Sequence, residues 1–346
     1  MAVAPASAPA LRIGSVSLRS AVVAAPMVGI TDAPTRCVLH GLGAGLVSTE
    51  MVAAAAVVRS ADAALKLLDF DAGVRPVAAQ LVGNDASVMS AAAQICVERG
   101  ADIVDVNLGC PVPRVVNRGS GAALARDIDA TARVLGAMVA AVPVPVTAKM
   151  RLGWDHASIN APQLARALQD VGVAAVAVHG RTRCQKYQGD SNWMEIARVK
   201  EAVTIPVLGS GDVDSAATSR LRIRSGMVDG VIVARGMLGN FWFVRQLVAM
   251  VADGEAVPDL GFAERIALTR RHLDMLCDHH GDSRGLRIGR KYVAWTIRGC
   301  DGAARLRARV QDLDSRERLD ELFDDALRAG ISPSGWFHPV FISGEG

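Results

Sequence analysis

Between about residue 20 and residue 235 one pattern keeps returning: a short apolar, β-branched run closes on a small or polar residue and gives way to a longer, alanine-rich stretch. Runs of this kind read as strands buried on both faces, and the stretches between them have helical spacing, so the repeating unit is β followed by α. Strands are expected at 22–25, 46–48, 77–81, 103–107, 144–149, 175–179, 206–209 and 231–234, with helices such as 85–98, 161–170 and 193–199 between them. Parallel strands joined by helical crossovers either form an open doubly wound sheet or close on themselves. The open form carries G-x-G-x-x-G after its first strand, whereas Pro26-Met27-Val28-Gly29 stands there. Eight units in a little over two hundred residues suit a (β/α)8 TIM barrel, which takes ~250.

The pattern changes around residues 235–262, where 254–258 reads as a linker. The segments 264–277, 289–298 and 314–328 have helical periodicity and no strand-like runs, so a small C-terminal helical domain is expected over 258–335, after a barrel over 13–253 and a disordered extension over 1–12. That extension, MAVAPASAPA at its start, lacks the basic and long apolar regions of an export signal. The longest apolar runs, such as 51–58, fall far short of the ~20 residues of a membrane span. The six cysteines include no C-x-x-C pair, and Cys277, His279 and His280 have no partner pair, so neither a disulfide scaffold, nor zinc, nor any other metal is expected. The chain is expected to work as a monomer in a reducing cytoplasm. Net charge is only +3, but residues 264–309 hold eleven Lys/Arg against five acids, while residues 311–330 hold three against seven. A solvated helix face and a binding patch account equally well for that cluster.

In a parallel barrel, active-site groups project from the C-terminal ends of the strands. Gln80, Asn107, Lys149 and His179 each sit at such an end. Any one alone reads as a hydrogen-bonded mouth residue; four at equivalent places describe a pocket with convergent polar groups. The last two units end in glycine-rich turns, Gly209-Ser210-Gly211-Asp212 and Ala234-Arg235-Gly236. Paired turns at this point of a barrel favour a phosphate held by backbone N–H groups. Lys149 would then stabilise negative charge on a ring whose edge Gln80 and Asn107 hydrogen-bond, which are the demands of flavin mononucleotide. Cys110 lies just past the fourth strand in Asn107-Leu108-Gly109-Cys110-Pro111, its backbone fixed by glycine and proline. A thiol there can act as proton donor or nucleophile. Cys37, Cys96, Cys277 and Cys300 fall in helical patterns and read as core, and Cys184 lies in a polar loop.

Six runs of residues together resemble, in order and spacing, the tRNA-dihydrouridine synthases, most nearly their bacterial B-type branch. These are Ala25-Pro26-Met27-Val28-Gly29-Ile30-Thr31-Asp32, Asp105-Val106-Asn107-Leu108-Gly109-Cys110-Pro111, Val146-Thr147-Ala148-Lys149-Met150-Arg151, Val178-His179-Gly180-Arg181-Thr182-Arg183, Gly209-Ser210-Gly211-Asp212-Val213 and Val233-Ala234-Arg235-Gly236. The resemblance covers roughly residues 12–300, and Arg290-Lys291-Tyr292-Val293-Ala294-Trp295 looks like the start of that family's tRNA-binding helical domain. It implies an FMN-dependent enzyme that reduces a D-loop uridine of tRNA with NADPH or NADH. By position it implies that Pro26, Met27 and Val28 line the flavin ring, Gln80 and Lys149 bind its polar edge, and His179 lies against the ring or its ribityl tail. Ser210, Gly211, Asp212, Ala234 and Arg235 would hold the phosphate, Cys110 would be the catalytic acid, and Asn107 and Arg181 would contact the flipped uracil or its phosphates. Ser210 replaces the usual Asn, Ala234 a usual Gly, and Arg118 a common Lys. The first two touch backbone contacts and should be tolerated; the third bears on tRNA preference. The rival readings are a flavin dehydrogenase for a free pyrimidine such as dihydroorotate, with no need of basic helices, and an RNA-binding protein without catalysis.

Overall fold

The computed structural model describes residues 11–331. It opens with an antiparallel hairpin, β1 (Leu11–Ile13) and β2 (Val16–Leu18), whose turn places Gly14 at φ 54°. Leu11 and Arg12 therefore belong to a strand, while residues 1–10 of the expected extension lie outside the described residues. Nine parallel strands follow: β3 (Val22–Ala24), β4 (Val47–Ser48), β5 (Val52–Ala53), β6 (Val77–Val82), β7 (Ile103–Leu108), β8 (Val146–Arg151), β9 (Ala175–His179), β10 (Val207–Ser210) and β11 (Gly230–Val233). Their order is β3-β11-β10-β9-β8-β7-β6-β4, with the short β5 extending the wall along β6. Val23 bridges Leu46 in parallel, and Gly45 N–H donates to Val22 O at 2.8 Å, so the ends of the sheet meet. The result is a nearly closed (β/α)8 barrel, as the alternation predicts, with strand ends displaced by one or two residues from their expected places. β5 and the hairpin were not foreseen.

Local chemistry explains the repeated turn from strand to helix. Asp32, Asp85, Asp127, Asn192 and Ser215 each accept a backbone N–H in the first turn of the helix that follows, satisfying donors that a helix start leaves open. Inward positions alternate along each strand and grade from apolar to polar toward the C-terminal end. Thus Ala78 precedes Gln80, Ile103 precedes Asp105 and Asn107, and Ala175 and Ala177 precede His179. The apolar floor, with Ile13, Val23, Leu46, Ile103, Ala175, Leu208 and Ile232, also takes Leu18 of the hairpin. Truncating such a buried side chain costs about 2–5 kcal/mol.

By contacts the chain divides into two compact units, one formed by the described part of residues 1–234 with 247–256, the other by 235–246 with the described part of 257–346. The second unit contains the helices Phe262–His280, Asp282–Thr296, Ala303–Arg309 and Arg316–Ala329 around a core with Leu273, Leu286, Val293, Leu322 and Phe323. Gly281, at φ 79°, turns the chain between the first two. A Cβ on Gly285 would stand 2.5 Å from the Cα of Cys277, so the two helices approach as closely as a bare backbone allows. Arg270 pairs with Asp320 and Asp324, Arg309 with Asp325, and Arg316 with Asp274, Asp278 and Asp282. Part of the basic cluster is therefore neutralised by the acidic helix that follows it.

Candidate active site

The barrel mouth brings together Gln80, Asn107, Lys149, His179 and Ser210. In the register of the sheet Gln80 lies beside Asp105, Asn107 beside Lys149, and Ser210 beside His179. Asp105, absent from the residues singled out in the sequence, organises one side. Its carboxylate accepts from Gln80 Nε2 and from Thr147 Oγ1, both at 2.7 Å. Gln80 Oε1 then accepts from Asn107 Nδ2 at 2.9 Å, and Asn107 Oδ1 accepts the N–H groups of Gly109 (3.1 Å) and Cys110 (2.8 Å). Because a carboxylate only accepts, the chain of bonds fixes which end of each amide faces which neighbour, and so holds the Cys110 turn. Burial pushes the Asp105 carboxyl above its ordinary value, against its two hydrogen bonds and Lys149.

Lys149 is half-buried, and its ammonium makes no hydrogen bond among the described residues. Burial first, and then the neighbouring Arg151, push it down to about 8, opposed by Asp105. A small cavity lined by Pro26, Ser48, Asp105, Thr147 and Lys149 leads down from it to the apolar floor. Arg151, also unforeseen, is buried and donates to Gly109 O (2.9 Å), Thr182 O (2.9 Å) and Lys186 O (2.8 Å), tying the turn of Cys110 to the loop after β9. Cys110 is half-buried, and its carbonyl accepts from Ala122 N–H at 3.2 Å. By contrast, burial pushes Cys96 up to about 12 and Cys300 to about 11, which suits inert core thiols, and Cys277 is buried as well. Cys37 is half-buried and Cys184 exposed.

On the opposite side of the mouth, Gly211 and Asp212 have φ of 106° and 50°. The Gly211 N–H has no acceptor among the described residues, and a Cβ there would meet Ser191 Oγ at 2.3 Å and His179 Cδ2 at 2.8 Å. Successive N–H groups in such a turn form a concavity suited to an anion. Asp212 itself accepts two bonds from Arg181 Nη2, at 2.9 and 2.8 Å, and one from Ser191 N–H. Arg181 is buried; it also donates to Gly189 O, and its Nη1 lies 3.4 Å from His179 Nε2. Ala234 and Arg235 follow β11 directly, the neighbour of β10. The turn after β3 is pinned by Thr31, whose Oγ1 accepts from Met27 N–H at 3.0 Å, and it leaves Val28 exposed beside the half-buried Pro26 and Met27. An unpartnered cation, an open backbone nest and an apolar wall fit a planar ring that carries negative charge and a phosphate tail.

The dihydrouridine synthase family model matches residues 22–330. A probable tRNA-dihydrouridine synthase of Rickettsia bellii is 38% identical over 301 residues, 87% of this chain and 92% of that protein. tRNA-dihydrouridine synthase B of Pseudomonas putida is 39% identical over 311 residues, 89% of this chain and 91% of that one. Among solved structures, histamine dehydrogenase from Rhizobium sp. 4-9 superposes with a TM-score of 0.55 at 13% identity, over 77% of this chain and half (50%) of that one. Morphinone reductase in complex with tetrahydroNAD gives a TM-score of 0.52 at 14% identity, over 70% and 90%. At such identities these two show a shared barrel. With its matched span running from the first barrel strand into the last helix, and relatives alike over nearly their whole length, the chain belongs to the dihydrouridine synthase family.

Proposed function

We propose that this chain reduces the C5=C6 bond of a D-loop uridine in tRNA to 5,6-dihydrouridine, with FMN as its cofactor and NADPH or NADH as reductant. The barrel, residues 13–253, carries the chemistry and the helical region, 258–335, binds tRNA; the protein acts in the cytoplasm as a monomer. Family membership gives the reaction class, and the observation that carries the site is a cysteine on a backbone-fixed turn at the same barrel mouth as an unpartnered ammonium. The family match also weighs against the free-pyrimidine reading.

FMN, when bound, supplies hydride to C6 of the uracil. Pro26, Met27 and Val28 give its ring an apolar wall, and Gln80 and Lys149 face its polar edge. His179, Ser210, Gly211, Asp212, Ala234 and Arg235 hold its tail and phosphate, chiefly through backbone N–H groups. Lys149 stabilises negative charge developing beside it, in a site where burial strengthens that attraction. Cys110 gives its proton to C5, with Asn107 fixing the turn that aims the thiol. Asn107 and Arg181 contact the uracil or its phosphates. The base has to leave its stack to reach this pocket, at a cost of a few kcal/mol, which phosphate contacts elsewhere on the tRNA offset.

The test is reconstitution. Purified protein should take up FMN with the flavin absorbance bands and form dihydrouridine in unmodified tRNA. Cys110→Ala should keep those bands and lose most of the product. Near-normal product from that variant removes Cys110 from its role, and a protein that stays colourless with FMN removes the cofactor assignment.

A further inference from the structure

The loops after β7, β8 and β9 carry an arrangement that the chemistry at Cys110 and Lys149 does not use. Trp154, after β8, has two guanidiniums over its ring. Arg126, after β7, stands 4.6 Å from the ring centroid, and Arg183, after β9, stands 4.4 Å from it. The three strands are consecutive in the barrel wall, so the stack spans the side of the mouth that also bears Cys110. Backbone bonds hold it in place: Arg183 N–H donates to Gly153 O and Cys184 N–H to Trp154 O, both at 2.9 Å. A Cβ on Gly153 would lie 2.3 Å from Ser158 O, so the turn presenting Trp154 has room for glycine alone.

Ion pairing in the barrel unit is uneven, and Arg59, Lys66, Arg133, Arg166 and Arg224 form none among the described residues; what sets this rim apart is the two guanidiniums gathered over one indole. Elsewhere Arg75 pairs with Asp102, Arg198 with Glu195 and Lys200 with Asp229. Arg114, Arg118, Arg126, Arg183 and Lys186, on the loops after β7 and β9, form no ion pair among the described residues. The Arg126 and Arg183 side chains donate no hydrogen bond there, and Arg183 Nε is buried without a partner. Asp155, close enough to feel Arg126, is engaged in capping its own turn through Ala157 N–H and the Ser158 hydroxyl. Like charges held side by side and unpaired cost free energy, and an indole face offsets only part of that cost while leaving the guanidinium edges open. Those edges match phosphate oxygens two at a time. Cations spread over several loops call for an anion with repeated charges, which a phosphodiester chain has and a single small-molecule phosphate lacks.

We propose that the Arg126–Trp154–Arg183 stack, with the unpaired cations beside it, is a clamp for the RNA phosphodiester backbone next to the nucleotide delivered to Cys110. The proposal rests on the reading of tRNA as substrate and adds the place where the barrel itself grips it.

The experiment follows binding of an unmodified tRNA transcript by fluorescence anisotropy across a potassium chloride series. Thermal melts verify that each variant is folded. In Arg126→Gln combined with Arg183→Gln, the slope of log affinity against log salt should fall by roughly one for each phosphate that the variant no longer neutralises. Affinity at fixed salt should weaken by about tenfold or more. Arg183→Lys should keep most of the slope and still lose affinity, because an ammonium has the charge without the flat fork. Trp154→Leu should weaken binding in the same direction with its cations retained, and Arg198→Gln, on the barrel flank, should change nothing. Wild-type binding with an unchanged slope in the double variant overturns the clamp alone. So does a rise in the KM for NADPH relative to NADH with tRNA binding intact, which would assign the arginines to a dinucleotide phosphate. Wild-type protein that does not bind the transcript overturns the substrate reading and the clamp together.

Discussion

Replacing Lys149 with methionine should make the flavin-free protein more stable at neutral pH while depriving the site of its cation. Folding pushes this ammonium from 10.5 down to about 8, with burial the largest cause. A folded value below the unfolded one means that Lys149 contributes stability fully only above pH 10.5, and that the contribution is lost as pH falls through about 8. At 1.36 kcal/mol for each pKa unit, the charged form at pH 7 costs about 3 kcal/mol. Lys149→Met removes that cost, less what Asp105 loses with its nearby countercharge. The net gain should be about 1–3 kcal/mol, or a few degrees in Tm for a domain of this size. Urea unfolding of both proteins in flavin-free form, at a series of pH values, isolates the effect, because all other titrations except that of Asp105 are shared. Between pH 8 and pH 9.5 the wild type should gain on the variant by about 2 kcal/mol as the folded state releases the proton that the unfolded state keeps. A variant less stable than wild type at pH 7, or a difference that ignores pH over that window, refutes the reasoning. The same variant should bind FMN weakly, seen as loss of yellow colour on dialysis.

Gly211→Ala forces a Cβ to 2.3 Å from Ser191 Oγ in a backbone at φ 106°, so it should cost about 1–3 kcal/mol of stability and most of the FMN affinity, read by calorimetry. Asp105→Asn gives Gln80 and Thr147 an amide in place of an acceptor-only carboxylate; it should cost about 1–3 kcal/mol and slow tRNA reduction more than cofactor uptake, because the turn of Cys110 loses its fixed amide order. Equal effects on both, or none on either, would detach Asp105 from the thiol. Asp212→Asn should loosen the loop that carries Arg181, visible as faster proteolysis between Arg181 and Ser191, and intact resistance would show that the ion pair does not hold that loop.

The strands were legible because each one is buried on both faces, which leaves a compact apolar run that little else in a sequence resembles. Gln80, Asn107, Lys149 and His179 stood out for a related reason, since each interrupts such a run at its end. Reading the same alternation inward by two residues would have found more. Asp105 precedes Asn107 by two, and Thr147 and Arg151 flank Lys149 by two, so all face the same way as the residues that were noticed. Other features had no local signal. Arg181 and Asp212 lie 31 residues apart, and only the parallel pairing of β9 with β10 brings them together. Neutralisation of Arg270 and Arg309 by acids that stand far from them in sequence was hidden in the same way, and local charge sums therefore overstated the basic character of the helices.

What joins the floor of the barrel to its mouth is a gradient in what folding alone would select. Below, Ile103, Leu208 and Ile232 are buried as a stable core demands. Above, a carboxylate raised by burial, an ammonium lowered by it and a rim of unpaired guanidiniums each work against stability. Groups that oppose the fold persist where a partner absent from the chain repays them. On the proposed function, a flavin's negative ring edge would be the partner of Lys149, its phosphate that of the Gly211 turn, and the RNA backbone that of Arg126 and Arg183. The three ought therefore to respond differently to salt: binding at the sheltered Lys149 little, binding at the exposed rim steeply, and the phosphate turn, built of neutral N–H groups, in between.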